Sequence, residues 1–252
     1  MGVFKQLVPS SNPALAEELL SLLSESLSQE GMANYFTRRN EQAAARLWQE
    51  LLQLLLSAAA AAASPQLYHL ADGSAAALVQ QYPQDRAGWH RGSSLLHLAK
   101  LVPWGKWRAL REALVALDKQ KAAFRSSHGP FLHLAAVAVA PSLRSAGLGS
   151  VLLDHICRTA DQQRQPIYAE VTSDRVRGWL KRHGFAESMR HIVRPHAPPV
   201  YVLVRWPVAA AAAGSGNGVS SAGGSSNGVH AAQHAVKQHA PRLRPSGSVR
   251  SR

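Results

Sequence analysis

The sequence predicts a mixed α/β fold, a central sheet with flanking helices followed by a low-complexity tail. Three observations carry that prediction. Apolar residues recur at helical spacing in several segments, short β-rich runs alternate with those segments, and the composition changes abruptly after Pro207.

The first element is a helix. Ser11-Asn12-Pro13 pairs a capping side chain with a proline at the first helical position, and Leu15, Leu19, Leu22 and Leu23 then share one face. Gly31 is expected to end it. A second helix is expected from about Asn40 to Ala62, with Leu47, Leu51, Leu54 and Leu55 on its stripe, until Ser64-Pro65 breaks it. Residues 67–70 and 75–81 flank the turn dipeptide Asp72-Gly73 and read as a hairpin. A third helix covers roughly Lys106 to Phe124. Phe131 to Val139 is almost wholly apolar, as a strand covered on both faces would be.

After Pro141 a glycine-containing loop leads into a helix from about Gly149 to Gln163, whose core face is Leu152, Leu153, Ile156, Cys157 and Ala160. Pro166 to Val171 is a further strand. Arg175 to His183 is a short helix stopped by Gly184, and strands at about Met189–Val193 and Val200–Trp206 complete the set. The organisation is thus N-terminal helices over 1–63, a core over 64–207, and a basic tail over 208–252 too rich in Ala, Gly and Ser to bury a core.

Composition excludes several classes. Cys157 is the only cysteine, so no disulfide can form within the chain, and zinc spacings and HExxH are absent. No metal is expected. The longest greasy run, Leu51 to Ala63, falls short of the roughly 20 residues that span a bilayer. A soluble, cytoplasmic protein is the default expectation. The net charge of +13 includes five basic and no acidic residues from Val208 onward, leaving 23 basic against 15 acidic residues, or +8, on the rest. Such a balance favours anionic partners without choosing among them.

The chemistry-bearing segment is Arg144-Ser145-Ala146-Gly147-Leu148-Gly149, between a buried strand and an amphipathic helix. Amides at a helix N-terminus converge on anions, glycines allow close approach, and Arg144 adds a charge that pairs with phosphate. Leu152 stands where a dinucleotide fingerprint needs its third glycine, and no Gly-Lys-Ser/Thr is present. By itself Gly147-x-Gly149 would be no more than a tight turn.

Its context adds to it. Val137-Ala-Val139-Ala-Pro141-Ser-Leu-Arg144-Ser-Ala-Gly147-Leu-Gly149 resembles the central motif of the GNAT (GCN5-related N-acetyltransferase) superfamily. Pro166-Ile-Tyr-Ala-Glu170 resembles that family's next strand. Trp179-Leu-Lys-Arg-His-Gly184-Phe185 resembles its Gly-Phe element, and Val200 to Pro207 its terminal strand. The resemblance spans roughly Ala14 to Pro207.

It implies an N-acetyltransferase that moves an acetyl group from acetyl-CoA to a primary amine of a small molecule or protein. By the same resemblance the backbone of Val137 and Val139 would pair with pantetheine, and the Val139 N–H would steady the oxyanion. Amides of Ser145, Ala146, Gly147, Leu148, Gly149 and Ser150, with the Arg144 side chain, would hold the pyrophosphate. Two departures stand out. Leu180 occupies the position of the family's acid tyrosine, leaving water or Tyr168 as stand-ins, and Leu134-Ala135-Ala136 replaces a stretch that often carries a glutamate.

Glu170 is the candidate base, weighed against an ion pair with Arg175 or Arg177. His133 reads as a packed histidine before it reads as a base, and Cys157 as an inert core thiol. Trp104, Trp107 and Trp179 are core residues by default and acceptor-pocket walls otherwise. Two other functions remain open at this point: a non-catalytic acyl-CoA-binding module, and a basic nucleic-acid-binding protein. The second is disfavoured because the basic residues are dispersed.

Overall fold

The computed structural model describes residues 4–7, 11–60, 67–83, 98–194 and 196–208. Ala61, Ala62, the Ser64-Pro65 break, residues 84–97 of the segment before the third helix, and the tail from 209 onward lie outside the described residues.

The chain opens with strand β1 (Phe4–Leu7) and helix α1 (Pro13–Leu27), capped by Asn12, whose Oδ1 accepts from the Leu15 N–H at 3.2 Å. α1 stops before the position the sequence suggested. Gly31 does not close it but begins a separate helix, α2 (Gly31–Thr37), after the Ser28 cap. α3 spans Glu41–Ala60, with Asn40 accepting from the Ala43 N–H at 2.9 Å. The hairpin β2 (Leu67–Leu70) and β3 (Ala75–Tyr82) follows as expected.

The third helix, α4 (Trp104–His128), is longer at both ends than its apolar stripe indicated, and Gly129 at φ +82° closes it. Then come β4 (Phe131–Val139), α5 (Leu148–Gln163), β5 (Ile167–Val171), α6 (Asp174–Arg182), β6 (Ala186–His191) and β7 (Val200–Arg205). No helix among the described residues is long and apolar enough to cross a membrane.

The seven strands form one sheet in the order β1-β2-β3-β4-β5-β7-β6, in which only β4 and β5 run parallel. Side chains alternate across it. Ala75, Ala77 and Val79 of β3 join the core under α5, with Leu152, Leu153 and Ile156, while Ala76 and Leu78 join Leu19, Leu23 and Leu52 of α1 and α3.

β4 breaks this alternation once. Leu132 and Leu134 belong to the α5 core, yet Ala136 and Ala138, of the same parity, belong to the α1/α3 core. The register with β3 shows why: Leu78 opposes Ala136 and Val79 opposes Leu134, so Ala135 is an extra residue, a β-bulge. A third cluster, Phe36, Leu47, Leu51, Leu98 and Leu110, joins α2, α3 and α4 beside the sheet.

Ile156 is fully buried at the centre of the α5 face. Ile156→Ala is expected to destabilise the fold by about 2–5 kcal/mol, read as a lowered urea midpoint with an unchanged m-value.

Candidate active site

The bulge reorients the backbone as well as the side chains. The Leu132 N–H donates to Pro166 O at 2.9 Å, towards β5, and the Ala140 N–H donates to Ser74 O at 2.8 Å, towards β3. Two residues of one parity point opposite ways because Ala135 lies between them. Beyond the bulge, strand alternation therefore turns the backbone groups of Val137 and Val139 towards β5. There β5 no longer meets them: parallel pairing covers only Leu132–Ile167, His133–Tyr168 and Leu134–Ala169. The two strands diverge, and polar backbone is left facing a gap.

The glycine loop closes one end of that gap. Ser145 (φ +70°) and Gly147 (φ +82°) take left-handed backbone conformations before α5 begins. Gly149 is needed for a different reason. A Cβ there would lie 3.3 Å from Val139 Cγ2 and 3.7 Å from Trp179 Cζ2, so glycine lets the first turn of α5 sit against β4 and α6. The amides of the first helical residues have no intrahelical acceptors and face outward at the positive end of the helix dipole.

Arg144 folds back over the loop, with its Nε 3.4 Å from Val139 O and one terminal nitrogen 3.4 Å from Ser26 Oγ. Ser150 is held from α6: Trp179 Nε1 donates to its hydroxyl at 3.0 Å. His183 Nε2 lies 3.1 Å from the same oxygen, with Asp154 2.8 Å from the other ring nitrogen. No local pattern announces this arrangement, because the α5 and α6 members are about 30 positions apart in the chain.

Gap and loop open into one cleft of about 820 Å³, lined on its far side by α2, α3 and α4. Val137, Val139, Arg144, Ser145, Gly147, Leu148, Gly149, Ser150 and Glu170 all border it. Ala146 is the one residue of the sequence-derived set that does not. Leu180 borders it too, as a buried apolar side chain where a proton donor was sought. Tyr168 does not border the cleft itself: its ring packs with Phe124 and Phe131, and its hydroxyl donates to Glu170 Oε1 at 3.4 Å.

Glu170 is fixed by an ion pair, and its partner is neither Arg175 nor Arg177. Lys121 Nζ reaches both carboxylate oxygens, at 3.0 and 2.9 Å, and His133 Nε2 lies 3.5 Å away. Arg177 pairs instead with Asp174 and Glu187. Burial would raise the Glu170 pKa, but the Lys121 charge and the His133 contact outweigh it and hold the carboxyl at about 2. His133, packed as expected, has Nδ1 3.2 Å from Gln80 Oε1; burial and then Lys121 push its pKa down, with Glu170 opposing.

Lys121 had a signal in the sequence. It continues the Leu110, Leu114, Leu117 stripe of α4, where a lysine needs a buried partner. Cys157 is a core thiol, pushed up to about 11 mainly by burial. Of the three tryptophans, Trp179 borders the cleft, Trp107 packs against the helical cluster, and Trp104 is 93% exposed, neither core nor pocket wall.

Residues 107–185 match the model of the Acetyltransferase (GNAT) family. Over that segment the chain is similar to a family of acetyltransferases. Solved structures share the fold. A polyamine N-acetyltransferase from Drosophila melanogaster is 20% identical, with a TM-score of 0.52 over 81% of this chain and 99% of that one. An acetyltransferase from Corynebacterium glutamicum, described as histone acetyltransferase HPA2 and related, is 18% identical, with a TM-score of 0.53 over 82% and 98%. Arylalkylamine N-acetyltransferase 2 from Aedes aegypti is 13% identical, with a TM-score of 0.53 over 81% and 98%. No curated protein matches the chain. Among the described residues no group of three or more His, Cys, Asp or Glu side chains could hold a metal ion.

The ion pair makes stability depend on pH. Because the Glu170 pKa is depressed from 4.5 to about 2, its stabilisation is complete above pH 4.5 and is lost as pH falls towards 2. Urea unfolding at successive pH values is expected to show Glu170→Gln less stable than the parent at neutral pH. The difference should shrink across that acid window.

Proposed function

We propose that the protein transfers an acetyl group from acetyl-CoA to a primary amine by direct attack of the amine on the thioester. The observation that carries the reading is the gap between β4 and β5, with the glycine loop at one end and a cleft at the other. A coenzyme that is a thin polar arm ending in a diphosphate fits these parts. Backbone groups of Val137 and Val139 would pair with the arm's amides, and the loop amides from Ser145 to Ser150, with Arg144, would take the diphosphate. The tightness at Gly149 supports this fit, since any side chain there would push the α5 turn away from β4.

In this reading the Val139 N–H is the donor that meets charge as it develops on the thioester oxygen. Holding amine and thioester together in the cleft supplies much of the rate. Leu180 donates nothing, so the thiolate leaves with water as its proton source; a thiol of pKa about 8.5 tolerates that.

Glu170, the base suggested by its position, is recast. A carboxyl held at about 2 and gripped by Lys121 takes up almost no proton at neutral pH. The amine reaches the thioester through its uncharged fraction, which burial against carbon favours. A non-catalytic acyl-CoA-binding module is the second reading, and the buried Leu180 is the observation that favours it.

Calorimetry with acetyl-CoA tests the site, and release of free thiol tests the chemistry. The parent is expected to bind in the micromolar range and to turn over with amines. Arg144→Ala should weaken binding about tenfold or more, the worth of a charge-assisted hydrogen bond of about 1.5–3 kcal/mol. Gly149→Val should weaken it further while the circular dichroism stays folded. Binding without turnover of any amine would select the second reading, and no binding by folded protein would sink both. The pH profile separates the roles of Glu170: kcat/KM should climb with the uncharged fraction of the amine, and Glu170→Gln should cost less than the 100-fold typical of a lost general base.

A further inference from the structure

Three side chains decide which way the Ser150 hydroxyl points. A serine oxygen has one proton to give and two lone pairs to offer. Trp179 Nε1, which can only donate, takes one lone pair at 3.0 Å. His183 Nε2 lies 3.1 Å from the same oxygen, and Asp154 Oδ1 lies 2.8 Å from His183 Nδ1. A carboxylate accepts, so Nδ1 carries a proton and the state of Nε2 is what varies. With Nε2 bare, the Ser150 proton points at the ring and the hydroxyl turns a lone pair outward. With Nε2 protonated, the ring donates to Ser150, both lone pairs are taken, and the hydroxyl proton must find an acceptor elsewhere. Ser150 and Trp179 border the cleft beside the glycine loop, whereas His183 does not border it and its side chain is 14% exposed. Other charges surround the ring. On α6 Lys181 pairs with Glu187 of β6 at 2.9 Å, and Arg205 of β7, beside Gly184, is held by Asp161 at 2.8 Å. Arg158 lies one turn beyond Asp154 on α5, and Arg182 precedes His183 at the edge of the cleft. Of all these groups only Asp154 touches the imidazole.

We infer that His183 is a positioning residue for the coenzyme: its charged form turns the Ser150 hydroxyl towards the diphosphate, so that coenzyme binding takes up a proton. This inference rests on the glycine loop being the diphosphate seat, as proposed above, and adds the residue that controls it. A diphosphate only accepts, so a Ser150 lone pair facing it repels and a Ser150 proton facing it binds. The proton that makes the difference passes from solvent to His183 Nε2. It reverses the hydroxyl and places a positive ring, backed by Asp154, behind the loop. Diphosphate and proton therefore each favour the binding of the other, by the reciprocity of linked equilibria. Imidazoles change charge between about pH 5 and 8, which puts this coupling in the range where an enzyme works. Coenzyme affinity then rises as pH falls, in the opposite direction to the supply of uncharged amine.

Calorimetry of the whole chain with acetyl-CoA at about pH 7, in two buffers of different ionisation enthalpy, counts the protons taken up on binding. The 3′-phosphate of the coenzyme itself titrates at about pH 6, so the quantity read is the difference between parent and variant. The parent is expected to take up a measurable fraction of a proton more than His183→Gln, whose amide cannot be charged. Ser150→Ala should weaken binding about tenfold or more at about pH 6, as loss of a charge-assisted hydrogen bond does, and less than about threefold at about pH 8. Asp154→Asn should move that change to lower pH, because the imidazolium loses its carboxylate. Circular dichroism identifies the folded variants, and Ser150→Ala carries the test alone should His183→Gln not fold. Equal proton uptake by parent and folded His183→Gln, or a Ser150→Ala cost that is the same at both pH values, overturns the inference and leaves the diphosphate seat standing. Absence of binding by the folded parent removes that seat and this inference with it.

Discussion

One extra residue in β4 determines how the rest of the site is built. A strand that kept its alternation would pair with β5 along its length and close the sheet. Ala135 shifts the pairing by one, so Leu132 and Leu134 pack under α5 while Ala136 and Ala138 pack against α1 and α3. The same shift turns the backbone of Val137 and Val139 towards a neighbour that has already veered away. Unpaired backbone in a sheet interior is costly unless something pairs with it. The fold sustains that cost because the opening is also where the glycine loop and the three N-terminal helices meet.

The helices set the second boundary. α1 and α3 cover one face of the sheet, whereas α2 and the first turns of α4 stand beside it and make a separate cluster around Phe36, Leu47 and Leu110. The cleft lies where this cluster meets the diverging strands. Its wall is mostly carbon, and one buried ion pair, Lys121 with Glu170, joins α4 to β5 across it. Such pairs rarely add much net stability, but breaking one leaves a charge stranded. The pair therefore fixes the position of α4 relative to the sheet more than it strengthens the fold.

Much of the fold was legible in the residues. Asn12-Pro13, the Asp72-Gly73 hairpin and the apolar run from Phe131 signal their elements through local chemistry, and the structure places them within a few residues of those signals. β1 was not legible because Phe4–Leu7 is too short to carry a pattern, and α2 was hidden because its first residue is a glycine that resembles a stop. The glycine loop was readable for its type and placement. The bulge was not, since Ala135 among alanines and valines looks like its neighbours. Glu170 was found in sequence but the pairing was not: Lys121 stands out locally as a lysine on an apolar stripe, and nothing local joins it to a carboxylate 49 positions away.

Asp161 gives the domain a fixed point of a different kind. Near the C-terminal end of α5 its carboxylate takes both terminal nitrogens of Arg205 at 2.8 Å and the Val208 N–H at 2.8 Å. α5 begins at Leu148, so this clamp stands about 20 Å along the helix from the glycine loop. A label or surface attached at Val208 would thus be held at a known position, a helix length away from the glycine loop. That makes the site a natural place from which to tether the domain without obstructing that end of the cleft.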